Sequence, residues 1–91
     1  MTSKSKLLDK RGQTHGPVED QARMSEDIKN MIHSSENWEM LHPVMKQSLD
    51  MIALKISRIL EGDPMCSEHW EDLAGYPTLV IKFIEREEEV I

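Results

Sequence analysis

The sequence predicts an all-α fold, a small bundle of three to four helices forming a single domain over residues 1–91. Apolar residues recur at helical spacings in the middle of the chain, and no segment alternates apolar and polar residues with period two. Proline, glycine and serine stand where such helices would begin and end. A chain of 91 residues has room for one domain. We expect its ends, residues 1–5 and 86–91, to fray.

The first two helices are predicted mainly from their ends. A short helix over about residues 4–11 should stop at Gly12, since glycine readily adopts the left-handed conformation that closes helices. After a turn, Pro17 suits the first position of the second helix, where its missing N–H costs nothing. This helix should run to about His33.

The third helix carries the clearest pattern. After a helical turn at Trp38–Leu41, it should open at Pro43 and run to Glu61. Its apolar stripe consists of Met45, Leu49, Ile52, Ile56 and Ile59, widened by Ala53 and Leu60. The opposite face mixes polar and apolar residues, namely Gln47, Asp50, Met51, Leu54, Lys55 and Arg58. Such a mixture indicates a helix buried on two sides, or one that lines a subunit interface or a site.

The fourth helix follows a turn at residues 62–64, with Ser67 as a reasonable N-cap. Its predicted apolar face consists of Trp70, Leu73, Tyr76, Val80, Phe83 and Ile84. Pro77 follows Gly75 inside this pattern. Because proline removes a backbone donor and clashes with the preceding turn, the fourth helix should kink or break near Pro77.

Charge and composition narrow the functional classes. The net charge is −6, and residues 61–91 hold nine acidic residues against Lys82 and Arg86. An acidic body repels phosphates, so direct nucleic-acid readout is not expected. The acidic third suits a basic protein surface, although a solvated helix end is the simpler interpretation. One cysteine, no secretory leader and no apolar run of about 20 residues together predict a cytoplasmic protein without a membrane span.

Asp72 is the first candidate site residue. On a helical wheel it falls beside Tyr76 and other apolar residues, where a carboxylate needs a cationic partner. Lys55 and Arg58 lie three residues apart on the third helix and are the candidate partners. Two interpretations stay open, an ion pair between helices, which we favour, and a charged pocket for an anionic ligand.

The potential metal ligands form weaker patterns. Gln47 and Asp50 are three residues apart, but the amide of Gln47 is a poor ligand for Mg²⁺. Cys66 and His69 lack further ligands at a zinc spacing, so we interpret them as a loop thiol and a surface histidine. We interpret a third set as a solvated face in which the arginine pairs with both acids: Glu19, Arg23 and Asp27. No metal site, phosphate loop or catalytic triad is predicted.

Four motifs carry a resemblance over about residues 7–84. They are LLDKRGQTHG near the start, NW at Asn37–Trp38, LDMIALKISRIL at Leu49–Leu60 and HWEDLAGY at His69–Tyr76. The chain resembles a family of small phage and prophage α-helical proteins and, more distantly, the all-α MazG-like nucleoside triphosphate pyrophosphohydrolases. The resemblance implies a phage-encoded helical protein in the cytoplasm of the bacterial host. The MazG-like group holds Mg²⁺ against a nucleoside triphosphate with Glu and Asp pairs on its helices.

The chain departs from this pattern at Pro17 and Gln47, where the family has acids, and at Pro77, where it has a helix former. Two potential Mg²⁺ ligands are therefore missing. We expect an accessory protein that is not an enzyme, needs no cofactor and binds a host or phage macromolecule, as an inhibitor of a bacterial defence system. The alternative is a Mg²⁺-dependent pyrophosphohydrolase or a non-hydrolysing nucleotide-binding protein. It would place Asp50 and Asp72 on the metal and Lys55 and Arg58 on the phosphates.

We also expect a homo-oligomer. Met51 and Leu54 lie off the main stripe of the third helix, and this second apolar face would be buried between copies. The candidate ligand or interaction residues are Gln47, Asp50, Lys55, Arg58, Asp72 and Tyr76.

Overall fold

The computed structural model describes residues 16–90, which form three α-helices and one short 3-10 helix. Helix α1 spans Val18–His33, α2 spans Pro43–Glu61 and α3 spans Ser67–Val90, and the 3-10 helix Trp38–Met40 lies between α1 and α2. No strand occurs among these residues, so the all-α prediction is confirmed for the part described. The short helix predicted over residues 4–11 lies outside it.

Helix α2 is the centre of the fold, because α1 packs along one side of it and α3 along another. Leu54 lines a groove of about 210 Å³ together with α1 residues, while Lys55 reaches α3. The predicted burial of this helix on two sides is therefore confirmed. The ring of His42, just before α2, lies 4.3 Å from the ring of Phe83 late in α3, so α2 and α3 run antiparallel.

The helix ends follow local chemistry. His42 precedes α2, and its Nδ1 accepts a hydrogen bond from the backbone N–H of Val44 at 3.1 Å. This bond satisfies one of the donors that a helix start leaves open. At the other end the N–H of Gly62 donates to the carbonyl of Arg58 at 3.0 Å. Helix α1 begins at Val18, one residue later than predicted, so Pro17 lies just outside the helix.

Gly16 fixes the start of α1 against the end of α2. Its φ is +82°, in the left-handed region, and it is buried. A Cβ atom at this position would lie 2.6 Å from the backbone carbonyl carbon of Glu61. Both the conformation and the close approach therefore require glycine.

Small residues fill the contacts around α2. Ala53 and Ser57 are fully buried, and Ser57 Oγ donates to the carbonyl of Leu54 at 2.6 Å, so its hydroxyl is satisfied. Ile59 is also buried, whereas the rest of the predicted stripe is half-buried, namely Met45, Leu49, Ile52 and Ile56. Leu60 is exposed, so its predicted place in the stripe is wrong.

Helix α3 continues through Pro77 to Val90, so of the kink or break predicted at Pro77 the break is wrong and the kink stays a prediction. Its inner face, which meets α2, consists of His69, Leu73, Tyr76, Val80 and Phe83, all buried or half-buried. Trp70 and Ile84, predicted on this face, are exposed because they follow inner-face residues by one position. None of the helices in residues 16–90 is both long enough and apolar enough to cross a membrane.

Candidate functional site

The predicted ion pair between α2 and α3 is present. Lys55 Nζ lies 3.3 Å from Asp72 Oδ2. The side chain of Lys55 is 10% exposed and that of Asp72 is 55% exposed. The expectation that Asp72 lies away from water is therefore wrong. Asp72 lies at the edge of the α2–α3 contact rather than within it, since the inner face is centred on Leu73 and Tyr76.

Arg58 does not share this ion pair. Its Nε is buried and has no hydrogen-bond partner among residues 16–90. The Lys55 side chain is almost wholly buried, and its ammonium group meets the half-exposed carboxylate of Asp72. The two cations that the sequence places together therefore have different surroundings.

Asp50 faces α1 instead of α3. Its Oδ1 lies 2.7 Å from His33 Nε2, at the end of α1. The His33 ring stacks on Trp38, with ring centroids 4.2 Å apart and planes 28° apart. Sequence reasoning missed this contact. The signal was available, because an antiparallel α1–α2 pair brings the end of α1 beside the first half of α2.

Trp38 closes the connection between α1 and α2. It is buried, and Lys46 Nζ lies 5.9 Å from the centre of its ring. The same ammonium group lies 3.4 Å from Glu39 Oε2. The aromatic residue of the NW motif therefore has a packing role, with the His33 ring stacked on it and Lys46 near its ring.

The six candidate residues do not converge on one site. Asp50 on α2 meets His33 on α1, whereas Asp72 on α3 meets Lys55 on α2, so the two carboxylates serve different interhelical contacts. Gln47 is exposed and Tyr76 is half-buried on the inner face of α3. Within residues 16–90, no three His, Cys, Asp or Glu side chains are grouped so that they could hold a metal ion.

Two further predictions need correction. His69 is buried rather than at the surface, because it lies four residues before Leu73 on the inner face of α3. Arg23 pairs with Asp20, Nη1 to Oδ1 at 3.6 Å, rather than with Glu19 and Asp27. The Arg23–Asp20 pair is the contact expected of helical neighbours three residues apart.

The α2–α3 turn presents apolar side chains among acids. Leu60 and Met65 are among the most exposed large apolar residues described. Two hydrogen bonds that involve side chains hold the turn, from the N–H of Met65 to Asp63 Oδ1 at 2.9 Å and from Trp70 Nε1 to the carbonyl of Pro64 at 2.8 Å. We call the group Leu60, Glu61, Asp63, Met65 and Glu68 the turn surface.

Comparisons with known proteins gave no match, whether against protein-family models, curated proteins or solved structures.

Proposed function

We propose that this chain is a phage- or prophage-encoded accessory protein that acts by binding a host or phage protein in the bacterial cytoplasm, and that it is not an enzyme. One observation supports this most. A Mg²⁺-dependent nucleotide site needs carboxylates that converge on the metal. Asp50 and Asp72 instead meet different helices, Asp50 through His33 Nε2 and Asp72 through Lys55 Nζ.

The turn surface is the region we propose for binding. Its exposed Leu60 and Met65 supply apolar contact area, and Glu61, Asp63 and Glu68 supply negative charge around them. Protein interfaces combine an apolar centre with a polar rim of complementary charge. The fitting partner is a protein with an apolar pocket rimmed by lysine and arginine. We propose a component of a bacterial defence system as that partner, which binding would inhibit.

The test compares two methionine variants in capture from host lysate. Met65→Asp changes the turn surface, whereas Met31→Asp changes another highly exposed methionine, on α1, with exposed fractions of 86% and 76%. We expect one host protein to bind the wild type and Met31→Asp but not Met65→Asp. Raising salt from about 50 to about 500 mM should weaken the binding, because salt screens exposed charges.

A cellular readout completes the test. Expression of the wild type and of Met31→Asp should restore phage plating on cells that carry the defence system, and expression of Met65→Asp should not. Equal plating with both variants would contradict the turn surface as the binding region. Purified protein that hydrolyses a nucleotide would contradict the non-enzymatic function itself.

The proposal also concerns how the helices are arranged and the shape of α3. We propose a single domain of three to four helices in a bundle, with α3 kinked near Pro77. Support comes from the position of Pro77 inside α3, where it removes the hydrogen bond to the Leu73 carbonyl and crowds that carbonyl. Residual dipolar couplings that fit one straight helix over Ser67–Val90 would contradict the kink.

One observation favours a second candidate, a nucleotide-binding protein related to the MazG-like group. Arg58 has a buried Nε without a partner among residues 16–90, and Lys55 lies one turn earlier on α2. A phosphate group would satisfy such a cation. Thermal denaturation of the wild type and of Arg58→Met with nucleotide and Mg²⁺ separates this candidate from the first.

A further inference from the structure

Helix α3 carries a second apolar stripe that no helix in residues 16–90 covers. Its members each follow an inner-face residue by one position, namely Trp70, Ala74, Pro77, Ile81 and Ile84, and all are exposed. Since an α-helix turns by about 100° per residue, this outer stripe lies beside the inner face and is turned away from α2. Trp70 already donates its indole N–H to the Pro64 carbonyl. The polar group of Trp70 is therefore satisfied, and its apolar ring is the part left exposed to solvent.

The outer stripe is nearly symmetric about Pro77. Trp70 lies seven residues before Pro77 and Ile84 seven after it, while Ala74 lies three before and Ile81 four after. In two antiparallel copies of α3 related by a two-fold axis at Pro77, Trp70 of one copy would meet Ile84 of the other. The small Ala74 would meet the larger Ile81, and such a pairing of sizes packs well.

The charged residues beside the outer stripe are also placed nearly symmetrically about Pro77. Glu71 and Lys82 lie on one flank of the outer stripe, six residues before and five after Pro77. Both are exposed, and neither has an ion-pair partner within residues 16–90. In an antiparallel helix pair, residues on one flank meet the same flank of the other helix. Each Glu71 would therefore meet a Lys82 of the second copy, giving two reciprocal ion pairs.

We propose that two copies of this chain bind each other through the outer stripe, with antiparallel α3 helices and a two-fold axis at Pro77. This inference does not depend on the function proposed for the turn surface. The proposed dimer contact lies on α3, whereas the sequence predicted an oligomer contact on α2. Met51 and Leu54 are half-buried within the chain, so the α2 face they share is not free to form that contact.

The interface is small. The stripe from Trp70 to Ile84 is about 21 Å long at 1.5 Å per residue. Contacts of this size fall at the low end of specific interfaces. We therefore expect a dimer with a dissociation constant on the order of tens of micromolar.

The decisive experiment compares Ile81→Asp with Leu79→Asp. The two residues are equally exposed, at 54% and 56%, but lie two positions and therefore about 200° apart on α3. Sedimentation velocity should show a wild-type dimer at about 100 µM that Leu79→Asp keeps. Ile81→Asp should raise the dissociation constant by at least about tenfold, because it buries a charge in the interface. Circular dichroism checks that both variants stay helical.

Charge exchange tests the two-fold symmetry. Lys82→Glu or Glu71→Lys alone places like charges opposite each other and should weaken the dimer. The double exchange restores opposite charges and should recover the wild-type dissociation constant. A double variant as weak as the single variants would overturn the reciprocal pairing.

Disulfide trapping tests the direction of the helices. In a Cys66→Ser background, an equal mixture of Ala74→Cys and Ile81→Cys should form the mixed disulfide faster than either homodimer. Dominant Ala74→Cys homodimers would indicate parallel helices and overturn the proposed geometry.

The dimer itself would be overturned by a wild type that stays monomeric at several hundred micromolar. An equal loss of dimer in Ile81→Asp and Leu79→Asp would also overturn it. The dimer would also be overturned if the wild type is monomeric and binds a host protein that Ile81→Asp does not bind, since that host protein would then cover the outer stripe.

Discussion

Lys55 and Asp72 form an ion pair whose two side chains are buried very unequally. Nζ lies 3.3 Å from Oδ2, yet the lysine is 10% exposed and the aspartate 55% exposed. Water therefore screens the carboxylate, and the interaction resembles a surface ion pair more than a buried one. The structural contribution of this contact lies mainly in the aliphatic stem of Lys55.

Asp72→Asn should therefore lower the free energy of unfolding by no more than about 1 kcal/mol. Lys55→Ala should cost about 2 kcal/mol because it removes buried methylene groups. Lys55→Met keeps that stem and should cost less than Lys55→Ala. Urea denaturation midpoints measure all three. A cost for Asp72→Asn that equals that of Lys55→Ala would indicate the water-free pair that the sequence predicted.

The ion pair at α3 and the His33–Asp50 contact at α1 should be energetically independent. Asp50→Asn and Asp72→Asn affect different interhelical contacts of α2. The cost of the double variant should equal the sum of the single costs within about 0.5 kcal/mol. The same urea series measures it. A larger coupling energy would show that α2 transmits changes between its two neighbours.

Gly16→Ala should destabilise the fold by about 1–3 kcal/mol, because a left-handed conformation strains any residue with a Cβ. The close approach to the Glu61 carbonyl adds to this cost, since a Cβ would lie 2.6 Å from its carbon. Thermal or urea unfolding of the full chain measures the change.

Gly75→Ala is the matched control for Gly16→Ala. Gly75 lies within α3, and apart from its chain neighbours and the nearby backbone of its own helix, no heavy atom of residues 16–90 lies within 4 Å of the position that its Cβ would occupy. Alanine should stabilise the helix here by about 0.5–1 kcal/mol. The two glycine-to-alanine substitutions should thus change the free energy of unfolding in opposite directions. A Gly16→Ala variant as stable as the wild type would contradict the contact between Gly16 and Glu61.

Nucleoside triphosphates with Mg²⁺ should neither be hydrolysed nor stabilise the protein. Asp50 and Asp72 serve different contacts, so these two carboxylates do not converge to hold the metal between phosphates. A ligand at a hundred times its dissociation constant would add about 2.7 kcal/mol of stability, which thermal denaturation would detect. Stabilisation lost in Arg58→Met would favour the nucleotide-binding candidate. Pyrophosphate release lost in Asp50→Ala would favour the hydrolase.

The fold was predictable where local chemistry decides it. The observed bounds of α2, Pro43–Glu61, are the predicted ones, because a proline opens the helix and a glycine follows it. Pro77 shows the limit of such reasoning. Proline disfavours a helix interior by about 3 kcal/mol, yet α3 continues through it, since packing of the inner face on α2 continues on both sides.

The candidate site was predictable in part. The spacing of Lys55 and Asp72 along an antiparallel pair predicted their contact, which is present. Their burial was not predictable, because it depends on how α3 is rotated against α2. Rotation by one residue position separates His69, which is buried, from Trp70, which is exposed. A helical wheel alone cannot fix that rotation when two adjacent stripes of one helix are both apolar.

The order in which the helices pack bears on how fast the chain folds. Helix α2 packs against the helix before it and the helix after it, and the connections, residues 34–42 and 62–66, are short. Contacts between neighbours in sequence close small loops and cost little chain entropy. Helical proteins dominated by such contacts fold in roughly microseconds to milliseconds. This chain should refold in that range after a stopped-flow dilution from urea, well before two copies at micromolar concentration would meet.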